Sequence, residues 1–214
     1  MIKIYGMALS PYVRKVLAVL KLKGLDYELV PQMPFANDPE FRKISPLEKI
    51  PALQDGDLTL CDSSVICEYL EDAYPATAVY PSDAKAKAQA RWLEELGDSK
   101  LAEFAGGIFF QRFMRPNVFQ QEADEAVVQD LIDNKLPPIF DYLEALVPDD
   151  GFLFGDLGVA DVSVITALVN AGYAGFQVDA SRWPKFSAYV GRVHGHEVVA
   201  GLLAAEQEAM GAGA

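Results

Sequence analysis

Lys49-Ile50-Pro51-Ala52-Leu53-Gln54-Asp55-Gly56-Asp57-Leu58-Thr59-Leu60-Cys61-Asp62-Ser63-Ser64-Val65-Ile66-Cys67-Glu68-Tyr69-Leu70 is the stretch from which the fold of this 214-residue chain can be read. A proline stands directly before the short apolar run Ala52-Leu53, and Asp55-Gly56-Asp57 separates that run from residues 58–60. Two β-prone runs joined by Asp-Gly chemistry predict a hairpin. Ser63 then precedes Val65, Ile66, Tyr69 and Leu70, whose spacing lays them along one face of a helix that ends before Pro75.

Upstream of this stretch, residues 2–5 form a β-rich run ended by Gly6, and Pro11 opens a segment with apolar residues at 13, 16, 17 and 20. That spacing is helical, with Gly24 as its stop. Residues 27–30 read as a second strand, and Asn37-Asp38-Pro39 opens a short helix through Lys43. The predicted order is therefore β-α-β-α-β-β-α. Downstream, residues 75–81 carry two prolines and little periodicity, the pattern of a linker. Everything beyond reads as helical, over about 83–114, 122–146, 158–173, 184–193 and 197–210, with a frayed Gly/Ala-rich tail. The expectation is an α/β domain over residues 1–76 followed by an all-α domain over 83–214.

Composition narrows the function. With 31 acidic and 18 basic side chains the formal charge is -13, and 51% of the residues are apolar, a globular balance. Net acidity opposes a sequence-independent grip on nucleic acid or on an anionic membrane. The charge is uneven: residues 1–80 hold 8 basic and 11 acidic side chains, and the remainder 10 and 20. Cys61 and Cys67 fit neither a Cys-x-x-Cys nor a zinc spacing, so reduced thiols in the cytosol are expected and no metal site. No basic and then apolar leader opens the chain, so no secretory signal is expected. The uncharged stretch 162–178 contains Ser163, Thr166 and Asn170 and reads as a buried helix, not a membrane span.

Three segments carry chemistry. Ser10-Pro11 stands between a strand and a helix whose first turn Pro11 occupies, which sets a hydroxyl at a helix N-terminus. Unpaired amides and the positive dipole end favour an anion there, and Ser10 can add a donor; equally, Ser10 can simply cap the helix. In Lys49-Ile50-Pro51, a cis bond before Pro51 would turn the backbone of Ile50 outward as an edge for an extended peptide, with Lys49 beside it for a carboxylate. The plain alternative is a trans turn and a solvated lysine. Asp62 and Ser63 open the next helix; the amides there can hold a carboxylate and Asp62 an ammonium, or the pair can act only as a cap. His194 and His196, two apart, lie on different helix faces and make a poor metal pair.

In combination, Ser10-Pro11 after a strand, Lys49-Ile50-Pro51-Ala52-Leu53 and the Asp62-Ser63-Ser64 helix start closely resemble the thioredoxin-like domain of cytosolic glutathione transferases. In the second domain, Gly155-Asp156-Leu157-Gly158-Val159-Ala160-Asp161 resembles the family's capping-box motif and Arg182-Trp183-Pro184 the start of a later helix. The resemblance is to bacterial-like, serine-type members. It implies a glutathione site in which Ser10 bonds the thiol sulfur, Lys49 faces the glycyl carboxylate, Ile50 and Pro51 present the backbone edge, and Asp62 with Ser63 holds the γ-glutamyl group. Tyr5, at the end of the first strand, is the alternative activating hydroxyl. It further implies glutathione as cosubstrate, no tightly bound cofactor, and a homodimer touching through the helices near residues 92–98 and after Ser63, with Asp98 approaching the partner's glutathione. A glutathione-binding protein without chemistry, and a glutathione-dependent disulfide or peroxide reductase, are the rival readings.

Two positions depart from the family pattern: Gly158 replaces the capping Ser or Thr, leaving Asp161 to bond back alone, and Glu48 stands where a small residue or glycine is usual. A carboxylate at Glu48 can compete with the ligand for Lys49. A small, mostly apolar electrophile is expected between the domains, against Leu9, Tyr12, Phe104, Ile108 and Arg112, with Arg115 as a second cation; the same spacing also suits core packing. Gly106-Gly107 inside that helix costs about 2 kcal/mol against alanine and suggests a kink or a close approach.

Overall fold

The computed structural model describes residues 1–212; the last two residues of the Gly/Ala-rich tail lie outside them. The chain divides into two compact units, one made of Met1–Pro81 together with the C-terminal segment from Glu197, the other of Ser82–His196.

The first unit is built on four strands: β1 (Ile2–Gly6), β2 (Tyr27–Pro31), β3 (Ala52–Asp55) and β4 (Leu58–Cys61). Their spatial order is β2-β1-β3-β4, with β1 and β2 parallel and β3 antiparallel to both its neighbours. Helix α1 (Pro11–Leu22) links β1 to β2 and buries Val13, Val16, Leu17 and Leu20, the apolar positions expected from spacing. It ends where Gly24, at φ +66°, lets its N–H reach Lys21 O and the Leu25 N–H reach Leu20 O, which satisfies two terminal carbonyls. The β3–β4 hairpin turns at Gly56-Asp57 as predicted, and α2 (Ser63–Ala73) follows β4 directly.

One predicted helix is absent. Between β2 and β3 only a 3₁₀ turn forms, at Phe41–Lys43. Phe35 and Asn37 take positive φ, and the Asp38 carboxylate is spent on the amides of Glu40 and Phe41, so the loop satisfies its backbone locally and no helix propagates.

The second unit is helical, as expected. The stretch predicted over 83–114 is α3 (Ala84–Leu96) and α4 (Ala102–Phe109) with wider π-helical turns at Gly97–Leu101 and Phe110–Met114, and it runs on into a short α5 (Arg115–Asn117). Next come α6 (Glu125–Asp130), a third π turn at Leu131–Lys135 and α7 (Leu136–Leu146). Asp83 and Asp124 cap α3 and α6 with their carboxylates. The π turn before Pro137 and Pro138 sits where two missing amides break the regular ladder. Helix α8 (Val159–Tyr173) is buried from Val159 to Ala171 and forms the centre of this unit, which accounts for the uncharged stretch. Among the described residues no helix is long and apolar enough to cross a membrane. At its start the Gly158 N–H donates to Asp161 Oδ2 at 2.9 Å, the half of the capping box that a glycine leaves intact. Helix α9 (Pro184–Gly195) closes the unit.

Helix α10 (Glu197–Ala212) differs from the expected domain division, because it packs with the first unit and not the second. Helix α10 buries Val199 and Leu202, and a charge pair fastens it to α1. Arg14 of α1 donates from Nε and a terminal nitrogen to both Glu206 oxygens at 2.7 Å, with the side chains 1% and 2% exposed.

Candidate functional site

The three segments singled out from sequence emerge at one end of the sheet. Tyr5 of β1 pairs with Ala52 of β3 and Ala52 with Cys61 of β4, so these residues form a row across three strands. Just past that row lie the loop from Gly6 to Ser10, residues 49–51, and Asp62. A Cβ on Gly6 would stand 3.5 Å from the Cβ of Ile50 and 2.5 Å from a methyl of Val13. Glycine there lets the start of α1 and the residue before Pro51 come together.

Ser10 is the N-cap of α1, and its Oγ accepts from the Val13 N–H at a long 3.4 Å. The capping role and the functional role do not compete. A hydroxyl accepts through its lone pairs and donates its own proton, and among the described residues that proton has no acceptor. Tyr5 is placed differently: its hydroxyl donates to Gln54 Oε1 at 2.9 Å while its ring tilts against Phe41. Its proton is already spent.

The Ile50–Pro51 bond is cis. Among the described residues neither the N–H nor the C=O of Ile50 has a hydrogen-bond partner, since β4 has ended at Cys61 and turned into α2. Lys49 is exposed and its ammonium has no carboxylate among the described residues. Glu48, the suspected competitor, is engaged elsewhere: its carboxylate takes the Asp38 N–H at 2.7 Å and Arg42 at 3.0 Å.

The cap of α2 is Asp62, one residue before the serine. At φ 76° it turns one oxygen to the amides of Ser64 and Val65, at 2.9 and 3.3 Å, and keeps the other for a further donor. Ser63 follows, buried, in the first turn. Lys15, buried in α1, donates to Ser64 Oγ at 3.1 Å and so ties the first turn of α2 to α1. Neither Lys15 nor the Arg14–Glu206 pair was found from sequence. The available signal was two adjacent cations inside a helix whose residues 13–20 are all buried, which demands partners.

The titrations shifted by their surroundings lie away from this end. At the hairpin tip, hydrogen bonding to Asp55 is the main cause that raises Tyr69 and that pushes Tyr74 up to about 12. Burial favours a raised Glu71 carboxyl, yet Lys23 and the amides of Val79 and Tyr80 together hold it low. In the helical unit, Ile108 is buried in the core and Phe104 lies under the Lys100 ammonium at 5.4 Å. Arg112 is held by both oxygens of Glu125, the bond that chiefly raises its pKa, so its charge is already matched. Leu9 and Tyr12 flank Ser10 in the first unit and are partly exposed. Gly107 makes a close approach, to a methyl of Leu131, whereas a Cβ on Gly106 would enter open space. Among the described residues no three His, Cys, Asp or Glu side chains converge as metal ligands would.

Among the described residues the arrangement offers a hydroxyl proton without an acceptor at a helix N-terminus, an unpaired backbone edge, a cation without a carboxylate and a second helix N-terminus with one carboxylate oxygen not engaged. That set suits an extended peptide bearing two carboxylates, an ammonium and a group that becomes anionic. Residues 4–78 match the family model of the glutathione S-transferase N-terminal domain and residues 121–192 that of its C-terminal domain. The chain is 33% identical over 175 residues to a probable glutathione S-transferase of Oryza sativa subsp. japonica, covering 79% of this chain and 80% of that one. A solved glutathione S-transferase from Rhodospirillum rubrum superposes with a TM-score of 0.83 at 27% identity, over 94% of this chain and 91% of that one. A glutathione S-transferase-I solved with lactoylglutathione bound gives a TM-score of 0.83 at 25% identity, over 95% and 98%.

Proposed function

The chain belongs to the glutathione transferase family, with a thioredoxin-like unit and a helical unit, and from that premise we propose that Ser10 activates the thiol of glutathione for attack on a small, mostly apolar electrophile. In this reading the Ser10 hydroxyl donates to the sulfur, and the N-terminal amides of α1 favour the thiolate through their dipoles. Lowering a thiol pKa from about 8.5 by roughly two units needs about 2.7 kcal/mol of preferential thiolate stabilisation, within reach of one hydroxyl and a helix N-terminus. Ser10 keeps its proton; the proton lost is the thiol's.

Lys49 meets the glycyl carboxylate, the unpaired N–H and C=O of Ile50 pair with the cysteinyl backbone, and Asp62 with the first turn of α2 takes the γ-glutamyl ammonium and carboxylate. Leu9 and Tyr12, beside Ser10, are the residues of this unit assigned to the electrophile. Thiolate addition or displacement needs no resident cofactor. A homodimer completes the reading, with exposed Trp92 and Val65 on the helices expected at the contact.

The observation that carries the proposal is the Ser10 proton, without an acceptor among the described residues, at the same sheet end as the Ile50 edge that none of them pairs. It is tested by ultraviolet titration of the bound thiolate together with conjugation kinetics on a halogenated nitrobenzene. Ser10→Ala is expected to raise the thiol pKa by about one unit or more and to lower kcat/KM about 10–100-fold, with glutathione still bound. An unchanged thiol pKa in that variant, or a rise instead in Tyr5→Phe, would overturn the assignment.

A further inference from the structure

We propose that Glu48 is a positioning residue for glutathione: it clamps the loop after β2 and thereby holds the main chain of Lys49 and Ile50 in the form that receives the peptide. The inference rests on the glutathione site proposed above and assigns a role to a residue that does not touch the ligand.

Glu48 occupies an uncomfortable position. Its φ of +50° is a left-handed conformation that glycine adopts freely and a residue with a Cβ does not. It is also a buried carboxylate, 8% exposed, next to a site that must accept two more carboxylates. Both features are unfavourable unless its bonds repay them. Four do so. The carboxylate accepts from the Asp38 N–H at 2.7 Å and from Arg42 at 3.0 Å, the Glu48 C=O accepts from the Phe35 N–H at 3.0 Å, and its N–H donates to Ser45 O at 2.8 Å. Ser45 in turn donates its hydroxyl to Lys49 O at 2.8 Å. Residues 35, 38, 42 and 45 are thus tied to 48 and 49.

Ile50 itself has no hydrogen bond on either main-chain group among the described residues, so its orientation is set by what precedes and follows it. Pro51 and β3 hold one side. The Glu48 knot holds the other and is anchored in turn: Asp38 caps the turn at Phe41–Lys43, and the buried Phe41 ring lies 6.1 Å from that of Tyr5. Arg42 has a second effect. By pairing with the Glu48 carboxylate it matches the negative charge next to Lys49, leaving the Lys49 ammonium for the ligand.

The test uses the full chain, calorimetry with glutathione, conjugation kinetics and amide hydrogen exchange. Glu48→Ala is expected to raise the glutathione Kd and KM about 5–20-fold with the bound-thiol pKa and saturated kcat near wild type. Glu48→Gln, which keeps an acceptor for the Asp38 amide, should raise them about 2–5-fold. Glu48→Gly relieves the backbone but has no carboxylate, so it should bind as weakly as Glu48→Ala; wild-type affinity in the glycine variant would show that the clamp is idle. Arg42→Ala should act in the same direction and less than additively with Glu48→Ala. Without any glutathione, exchange at the Phe35 and Asp38 amides should quicken about tenfold or more in Glu48→Ala. Unchanged exchange, or a variant that loses thermal stability while keeping the wild-type KM, would overturn the clamp while the glutathione site stands; a wild-type protein that fails to bind glutathione would overturn both.

Discussion

At the scale of single residues, the site depends on which polar atoms are already used. Ser10 and Tyr5 are both hydroxyls near the end of β1, and the sequence favours Ser10 because Ser10-Pro11 opens a helix whose dipole acts there. The bond from Tyr5 to Gln54 supports the proposal for Ser10, because a proton given to an amide oxygen is not available to a sulfur. The same accounting separates Lys49 from Arg112: the first has no carboxylate among the described residues, the second holds Glu125. Lys49→Ala is therefore expected to weaken glutathione binding about 5–10-fold at low ionic strength, with the difference shrinking in about 0.5 M salt as screening removes what the exposed ammonium contributed. Calorimetry at two salt concentrations checks it; an effect that does not depend on salt would mean that Lys49 acts through packing. Legibility at this scale was partial. Ser10, Lys49, Ile50 and Asp62 could be named because their residue types and neighbours limit what they can do, whereas Gln54, Lys15 and Glu206 matter only through partners many residues away.

At the scale of elements, closeness of approach decides. Gly97 stands where α3 and its π turn cross α8, and a Cβ there would lie 2.3 Å from the carbonyl oxygen of Ser163, a backbone atom that cannot swing aside. Gly97→Ala should cost about 2–3 kcal/mol or more. Gly106 is the opposite case, since its Cβ would meet nothing, and Gly106→Ala should stabilise by about 0.5–1 kcal/mol through helix propensity. Denaturant midpoints for the pair form the check, and equal destabilisation by both would contradict the crossing geometry. A second element-level prediction concerns acid. Lys23 reaches Tyr74 O, Thr77 O and the Glu71 carboxylate at 3.0, 2.6 and 2.8 Å, fastening the residues after α2 to α1. Because the native Glu71 pKa lies below its unfolded value near 4.5, its contribution is present above about pH 4.5 and lost as pH falls through the native pKa. Glu71→Gln should thus lower Tm at pH 7, and the gap from wild type should narrow below about pH 4.5.

At the scale of the molecule, the first unit is completed by the end of the chain. Removing Glu206 takes away the carboxylate that matches the buried Arg14 guanidinium, in the same helix that Ser10 caps, so Glu206→Ala is expected to cost about 3–5 kcal/mol. Thermal unfolding measures this, and loss of only a few tenths would show that water reaches Arg14. Truncation before Glu197 should have the same effect on the first unit. The sequence by itself determined the order of the strands, the hairpin turn and the stop of α1, and it named candidate residues for an extended dicarboxylate peptide, because turn chemistry, capping and periodicity act over a few residues. Its net charge of -13 also opposes a sequence-independent grip on nucleic acid, an argument that needs no fold. Only the tertiary structure decided that the row Tyr5, Ala52 and Cys61 brings three loops to one end, that Glu48 faces Asp38 and Arg42, and that α10 returns to α1. Those outcomes depend on which buried donor finds which acceptor, and pairs such as Arg14 and Glu206 meet only when the chain has already folded.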